Sequence, residues 1–223
     1  MPNIVNGVVK FKQQVYPGKR ELYEKLATGQ SPEALFITCS DSRISPNLVT
    51  QTEPGELFIC RNAGNIVPPH TKATGGTTAT IEYAVAVLEV PHIVICGHTE
   101  CGAMKGAMDP GSLKDLPHVS KWLAYSSAAV EIVKEIGSEF DEAARMRMLI
   151  EQNVLLQMVH LKTHPYVAAR HAAGKLQIHG WVYDIRSGNV VAYDDKQEKF
   201  LPVEERYAQE IEKLTKNNII QTC

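Results

Sequence analysis

Three short apolar runs in the first half of the chain predict buried strands. They are "EALFITC" (33–39), "ELFICRNAGN" (56–65) and "PHIVICGH" (91–98). The periodicity and length of the segments between and after them, "GGTTATIEYAVAVLEV" (75–90) and "TECGAMKGAM" (99–108), favour helices instead. Strands that alternate with helices indicate an α/β fold with a mainly parallel central sheet covered by helices on both faces.

The second half of the chain predicts helices followed by an antiparallel edge. Residues 126–172 show long helical periodicity with a break near Pro165. The segment "KLQIHGWVYDIRSGNVVAYD" (175–194) then alternates apolar and polar residues around a turn at Ser187-Gly188-Asn189, which is typical of a hairpin. The charged, amphipathic pattern that follows predicts a C-terminal helix over 200–223.

Residues 1–29 predict an N-terminal helical arm. Its last helical piece stops at Gly29, a residue that commonly ends helices. Six apolar positions in the arm have no evident core of their own (Ile4, Val8, Val9, Phe11, Val15, Tyr16). We therefore expect the arm to pack on a second copy of the chain, within a single α/β domain that spans residues 1–223.

The composition is that of an ordinary globular protein, with 44% hydrophobic and 22% charged residues. A net charge of −2 argues against a nucleic-acid partner, which would favour a basic face. No apolar stretch reaches the length of a membrane span, and the first residues lack the pattern of a secretory signal. We therefore expect a cytoplasmic protein without a membrane partner.

The five cysteines are an odd number, and in a cytoplasmic protein they favour metal ligands, a nucleophile or buried thiols over disulfides. The segment "CGHTECG" (96–102) supplies His98 and Cys101 at a strand-to-helix turn, where an imidazole and a thiolate can point at one ion. Cys39, at the end of another strand, could supply a third ligand. Three nitrogen and sulfur ligands with an open fourth position are typical of catalytic zinc.

Geometry alone does not choose between Cys96 and Cys101 as the second thiolate. Cys96 shares a strand face with His98, because the two residues are two positions apart. It lies within an apolar run, however, where a thiol would stay neutral. Cys101 lies at the start of a helix, whose backbone N–H groups favour a thiolate. We interpret Cys60 and Cys223 as non-functional thiols.

Three motifs together resemble those of the beta-class carbonic anhydrases: "CSDSR" (39–43), "PGELFICRNAGN" (54–65) and "GHTECGAMKG" (97–106). The likeness extends from about Tyr23 to about Tyr183. It implies that Cys39, His98 and Cys101 bind zinc, and that zinc-bound hydroxide attacks carbon dioxide to give bicarbonate and a proton. It also implies a homodimer or a higher multiple of dimers.

The resemblance assigns further roles residue by residue. Asp41 and Arg43 correspond to the family's paired aspartate and arginine, in which the carboxylate accepts a hydrogen bond from the nucleophile. The substrate-binding positions correspond to Gln30, Phe58, Tyr83 and Gly102. Some family members carry a tryptophan and a glycine where this chain has Phe36 and Thr38, so bicarbonate inhibition of a closed site is in doubt here.

Each assignment has a plainer alternative. Asp41 and Arg43 could form a surface salt bridge, Phe58 and Tyr83 could be core residues, and Gly102 could simply open a helix. Alternative functions are a hydrolase of carbon disulfide or carbonyl sulfide on the same scaffold, and a non-catalytic zinc-binding module. A thiol redox protein is disfavoured by the spacing of Cys96 and Cys101.

Overall fold

The computed structural model describes residues 1–72 and 74–221, and side chains as far as Thr215. Six strands form one sheet in the order β2-β1-β3-β4-β5-β6. Their bounds are β1 Ala34–Cys39, β2 Leu57–Asn62, β3 His92–His98, β4 Gln177–Tyr183, β5 Val190–Asp194 and β6 Lys199–Pro202. Strands β1 to β4 are parallel neighbours, whereas β5 and β6 are antiparallel. The fold class predicted from the sequence is therefore confirmed.

Helices precede, connect and cover the strands. Their bounds are α1 Pro2–Lys10, α2 Arg20–Leu26, α3 Pro46–Thr50, α4 Gly76–Glu82, α5 Gly102–Met108, α6 Pro117–Leu123, α7 Ser127–Ile136, α8 Glu142–Lys162, α9 Pro165–Ala172, α10 Val203–Arg206 and α11 Ala208–Gln221. Helix α4 continues through Val87 as a wider π-helical turn. Within the described residues, no helix combines the length and the apolarity that a membrane span requires.

The predicted helix over 200–223 is wrong at its start, because the chain first forms β6. Phe200 pairs with Tyr193 and Leu201 with Ala192 on β5. Leu201 is buried while its neighbour Pro202 is exposed, so the local burial follows the two-residue period of a strand. Helical structure begins only after Pro202, and Cys223 lies outside the described residues.

The helical stretch predicted over 126–172 contains one break more than expected. Helix α7 ends at Ile136, and the N–H of the next residue, Gly137, donates to the carbonyl of Val133. Helix α8 then starts afresh, because the carboxylate of Asp141 caps it by accepting a hydrogen bond from Ala144 N–H at 2.7 Å. The break near Pro165 is present as predicted, with Pro165 in the first turn of α9.

The sheet has two chemically different faces. Leu35, Ile37 and Cys39 of β1 point into the larger hydrophobic core beneath α8. Phe36 points to the other face, where it packs in a smaller cluster with Val94 and Cys96. Because side chains alternate along a strand, Cys39 and Cys96 lie on opposite faces of the sheet.

The N-terminal arm contributes no residue to either core. Helix α1 has no buried residue, and Ile4, Val5, Val8 and Val9 are all exposed. Further along the arm, Phe11, Tyr16 and Tyr23 contact one another through their rings. Within one chain, the apolar face of the arm is therefore open to solvent.

Candidate metal centre

The structure brings the three predicted ligand side chains together at the carboxyl end of the sheet. Cys39 ends β1, His98 ends the neighbouring strand β3, and Cys101 follows three residues later. One ligand atom from each residue lies within 4.8 Å of the other two, and all three side chains are buried. Across residues 1–72 and 74–221, this is the one group of three or more such side chains that could hold a metal ion.

The imidazole of His98 is held with one nitrogen available to a metal. Its Nδ1 lies 2.8 Å from the carbonyl oxygen of Thr99. A carbonyl can only accept, so Nδ1 carries the hydrogen and Nε2 keeps its lone pair. Nε2 is buried and has no hydrogen-bond partner. A buried nitrogen without a partner costs free energy, and a metal ion beside the two sulfurs would remove that cost.

The two thiols respond to each other and to their surroundings. A hydrogen bond from Cys101 is the largest of the effects that lower the pKa of Cys39 below its usual range, and it outweighs burial. The same contact raises the pKa of Cys101, and burial adds to the increase. A second thiolate so near the first would be repelled, so the pair retains one proton unless a cation offsets the repulsion.

The N–H of Gly64 also supports Cys39, donating to Cys39 Sγ at 3.4 Å. Gly64 has φ +81°, a conformation that glycine adopts without strain. A Cβ at this position would lie only 3.0 Å from Cε of Met104 and 3.2 Å from Cβ of Ala103. Glycine is therefore needed both for the turn and for the close approach of its N–H to the sulfur.

Asp41 and Arg43 form a forked ion pair beside the three ligands. Arg43 Nε donates to Asp41 Oδ1 at 2.9 Å, and Arg43 Nη2 donates to Oδ2 at 2.7 Å. The same Nη2 donates to the carbonyl oxygen of Glu100 at 3.0 Å. These hydrogen bonds hold the pKa of Asp41 well below its usual range. Oδ2 of Asp41 lies 4.0 Å from His98 Nε2, so the carboxylate faces the ligand atoms.

The donor set fits zinc. Two sulfurs and one imidazole nitrogen are softer ligands than the carboxylates and carbonyls that magnesium and calcium prefer. A family model described as carbonic anhydrase matches residues 34–190. A carbonic anhydrase of Pseudomonas aeruginosa is 47% identical over 92% of this chain and 93% of that protein. The solved beta-carbonic anhydrase CcaA superposes with a TM-score of 0.88, at 42% identity over 91% of each chain.

The chain belongs to the beta-carbonic anhydrase family. A carbonic anhydrase of Synechococcus elongatus is also 47% identical, over 86% of this chain and 71% of that protein. Two beta-carbonic anhydrases of Sordaria macrospora, described as tetrameric, provide a second structural match. It has a TM-score of 0.71 and 34% identity, over 86% of this chain and 92% of that chain.

Three of the substrate-binding residues predicted for this carbonic anhydrase lie away from the ligands of the same chain. Phe58 pairs with Leu35 on β1, whereas Cys39 pairs with Asn62. A separation of four residues along a strand is roughly 13 Å. The ring of Tyr83 stacks on Phe58 with centroids 5.9 Å apart, and Tyr83 is 46% exposed. These two residues therefore form an aromatic pair that one chain does not bring to its own metal centre.

Gln30 lies still further from the ligands. It is exposed, and it lines a depression of about 410 Å³ between the end of α2 and residues 53–56, without any of the three ligands. Glu33, three residues later, donates its N–H to Glu56 at the amino end of the sheet. Six residues separate Glu33 from Cys39, which is roughly 20 Å along the strand. Gly102, by contrast, begins α5 directly after Cys101.

Three polar residues on α8, two of them buried and one half-buried, support the site, and sequence reasoning missed them. Asn153 Nδ2 donates to the carbonyl of Gly64 at 3.1 Å. Gln157 Oε1 accepts from Val67 N–H at 2.9 Å, and His160 Nδ1 contacts the carbonyl of Val67 at the same distance. We call Asn153, Gln157 and His160 the α8 polar ladder. A polar pair four residues apart on an otherwise apolar helix face is the signal that could have identified it.

Two other cysteines do not take part in the metal centre. Cys96 is buried on the opposite face of the sheet, and burial raises the pKa of its thiol to about 12. Cys60 is buried as well, and burial also raises the pKa of its thiol. Neither belongs to the group of side chains that could hold a metal. The structure thus brings Cys101, and not Cys96, to Cys39 and His98.

Proposed function

We propose that this carbonic anhydrase hydrates carbon dioxide reversibly to bicarbonate and a proton, with zinc held by Cys39, His98 and Cys101. The observation that carries the proposal is the convergence of these three side chains to within 4.8 Å. Three nitrogen and sulfur ligands leave a fourth tetrahedral position for water or substrate, which distinguishes catalytic from structural zinc. The family assignment supports the same reaction.

When bound, zinc lowers the pKa of a coordinated water and so supplies a nucleophile near neutral pH. Asp41 orients the attacking water by accepting a hydrogen bond from it at Oδ2, the oxygen that lies 4.0 Å from His98 Nε2. Arg43 engages both oxygens of that carboxylate and thereby keeps it from occupying a ligand position. The carbonyl of Thr99 fixes the tautomer of His98. The backbone N–H of Gly102 contacts bicarbonate.

A second copy of the chain completes the substrate pocket in this proposal. Phe58, Tyr83 and Gln30 lie toward the amino end of the sheet, whereas the ligands lie at its carboxyl end. No side chain spans the roughly 13–20 Å between them. A symmetric pair of chains would bring the aromatic pair and Gln30 of each copy to the metal centre of the other. The exposed apolar face of α1 offers surface for such a contact.

The proposal is tested by stopped-flow carbon dioxide hydration, with zinc quantified on the same sample. The wild-type protein is expected to carry one zinc per chain and to accelerate hydration. Cys39→Ser should lose both properties, because a ligand is removed. Cys60→Ser is the matched control and should keep both, since Cys60 lies outside the group of ligands. Zinc-loaded protein that leaves hydration at the buffer rate would refute the function, and active protein without zinc would refute the metal.

A further inference from the structure

Arg61 of β2 contacts the turn that follows β1. The last backbone hydrogen bond between the two strands runs from Ser40 N–H to the carbonyl of Asn62, at 2.9 Å. Beyond that hydrogen bond, the side chain of Arg61 joins β2 to the end of β1 and to the turn that follows it. Arg61 Nε donates to the carbonyl of Cys39 at 3.0 Å, and Arg61 Nη2 donates to the carbonyl of Asp41 at 2.6 Å. One planar group thus contacts the main chain on both sides of Ser40.

We propose that Arg61 is a positioning residue that fixes Asp41 relative to Cys39. The guanidinium is rigid, so two hydrogen bonds from it set the distance between the two carbonyls that it contacts. One is the main-chain carbonyl of Cys39, a proposed metal ligand, and the other is the main-chain carbonyl of Asp41, whose carboxylate faces the ligand atoms. Its guanidinium donates to main-chain oxygens, and Arg61 is not one of the three side chains that could hold a metal. The functional meaning of this inference rests on the proposed zinc site.

Arg61 and Arg43 hold Asp41 in different ways. Arg43 pairs with the carboxylate, and its own backbone N–H donates to the same group at 3.0 Å. These contacts are local to residues 41–43, and one further bond from Arg43 Nη2, to the carbonyl of Glu100, ties the ion pair to the segment before Cys101. Arg61 comes from a neighbouring strand and holds the main chain instead. Loss of Arg61 should therefore leave the ion pair intact while releasing its position relative to Cys39.

A lysine cannot replace this arrangement fully. Its ammonium is a compact point charge on a flexible stem, whereas two carbonyls require a fork of fixed geometry. Arg61→Lys should therefore give an intermediate result, and Arg61→Ala the full effect. Arg61 is exposed in the chain, so truncation removes little buried surface. The exposed Arg147 on α8 provides the matched control, Arg147→Ala.

The test measures the rate at which the zinc-loaded protein releases its metal to a chromophoric chelator. Supporting contacts behind metal ligands typically change metal affinity by about 10- to 100-fold, so Arg61→Ala should release zinc at least about tenfold faster. Millimolar guanidinium, far below denaturing concentrations, should slow release again by refilling the vacated space. Arg147→Ala should match the wild type, and the melting temperature of each variant reports general loosening.

Wild-type release from Arg61→Ala would overturn the inference. So would an acceleration that Arg147→Ala shares, or one that guanidinium does not reverse. The assay follows the metal and not catalysis, so it remains informative if zinc-loaded protein fails to hydrate carbon dioxide. Failure of the proposed function and failure of the role of Arg61 are therefore separate results.

Discussion

If two copies of the chain share each site, a mixed dimer made of two different impaired variants should be more active than either variant's own dimer. Cys39→Ser destroys the metal half of the site, and Gln30→Ala removes a side chain from the pocket half. Gln30 is exposed, so this second change should leave the fold intact. Coexpression with two different affinity tags, followed by tandem purification, isolates the mixed dimer. Its hydration rate is then compared with those of the two parent homodimers.

The expected magnitude follows from the strand geometry. The roughly 20 Å between Glu33 and Cys39 along β1 places Gln30 out of reach of its own chain's ligands. In a mixed dimer, one site then combines two intact halves and the other combines two altered halves. The mixed dimer should therefore show about half the activity of the wild-type dimer. If each chain built its own complete site, both sites would be damaged.

A crossed control sharpens the comparison. A chain that carries both Cys39→Ser and Gln30→Ala is paired with a wild-type chain. Shared sites predict that both sites of this dimer are damaged, whereas self-contained sites predict about half of the wild-type activity. The reasoning is refuted if this control is half active and the first mixed dimer is no faster than the Gln30→Ala homodimer.

Three further predictions concern single residues. Asp41→Asn weakens the acceptor without changing its size, so hydration should fall at least about tenfold, or roughly 1.4 kcal/mol of barrier, with zinc retained; full activity would favour a surface salt bridge. Metal analysis should find zinc in Cys96→Ala but not in Cys101→Ala, and the reverse pattern would require a different ligand set. Burial and a neighbouring imidazole lower the pKa of His179 from 6.5 to about 4. The unfolded chain therefore binds a proton that the folded chain excludes, and stability falls as the pH drops from 6.5 to 4. His179→Gln should reduce the pH dependence of the unfolding free energy, measured by urea titration, between pH 6.5 and 4. The matched change His118→Gln, at an exposed position, should leave that pH dependence as it is.

The elements that the sequence predicts well are those with a local cause. The apolar run before Cys39 and the one that includes Cys96 form buried strands, because their residues pack into the two faces of the sheet. The turn around Gly188 closes the predicted hairpin, with φ +79° at that glycine. The helical pattern of residues 99–108 likewise predicts the helix that begins after Cys101. Each of these features depends on residues that are near one another in the chain.

The features that sequence reasoning missed depend on distant partners. Strand β6 is short and lies inside a charged segment, and only its pairing with β5 makes it a strand. Arg61 looks like an ordinary exposed cation until the carbonyls of Cys39 and Asp41 are placed beside it. The distance between Gln30 and the ligands depends on how the strands pair, and neighbouring residues in the sequence do not predict that pairing.

The α8 polar ladder also bears on the order in which the molecule is completed during synthesis. Its hydrogen bonds to Gly64 and Val67 join residues that are 89 and 90 positions apart in the chain. Helix α8 ends at Lys162, well after Cys101, so a growing chain exposes all three metal ligands before it can form these contacts. A ribosome-bound chain that has emerged only as far as α5 thus has the chelating side chains without the helix that braces the loop behind Cys39. With zinc bound as proposed, we predict that firm capture of the ion follows the synthesis of α8, and that chains truncated before that helix exchange their metal freely.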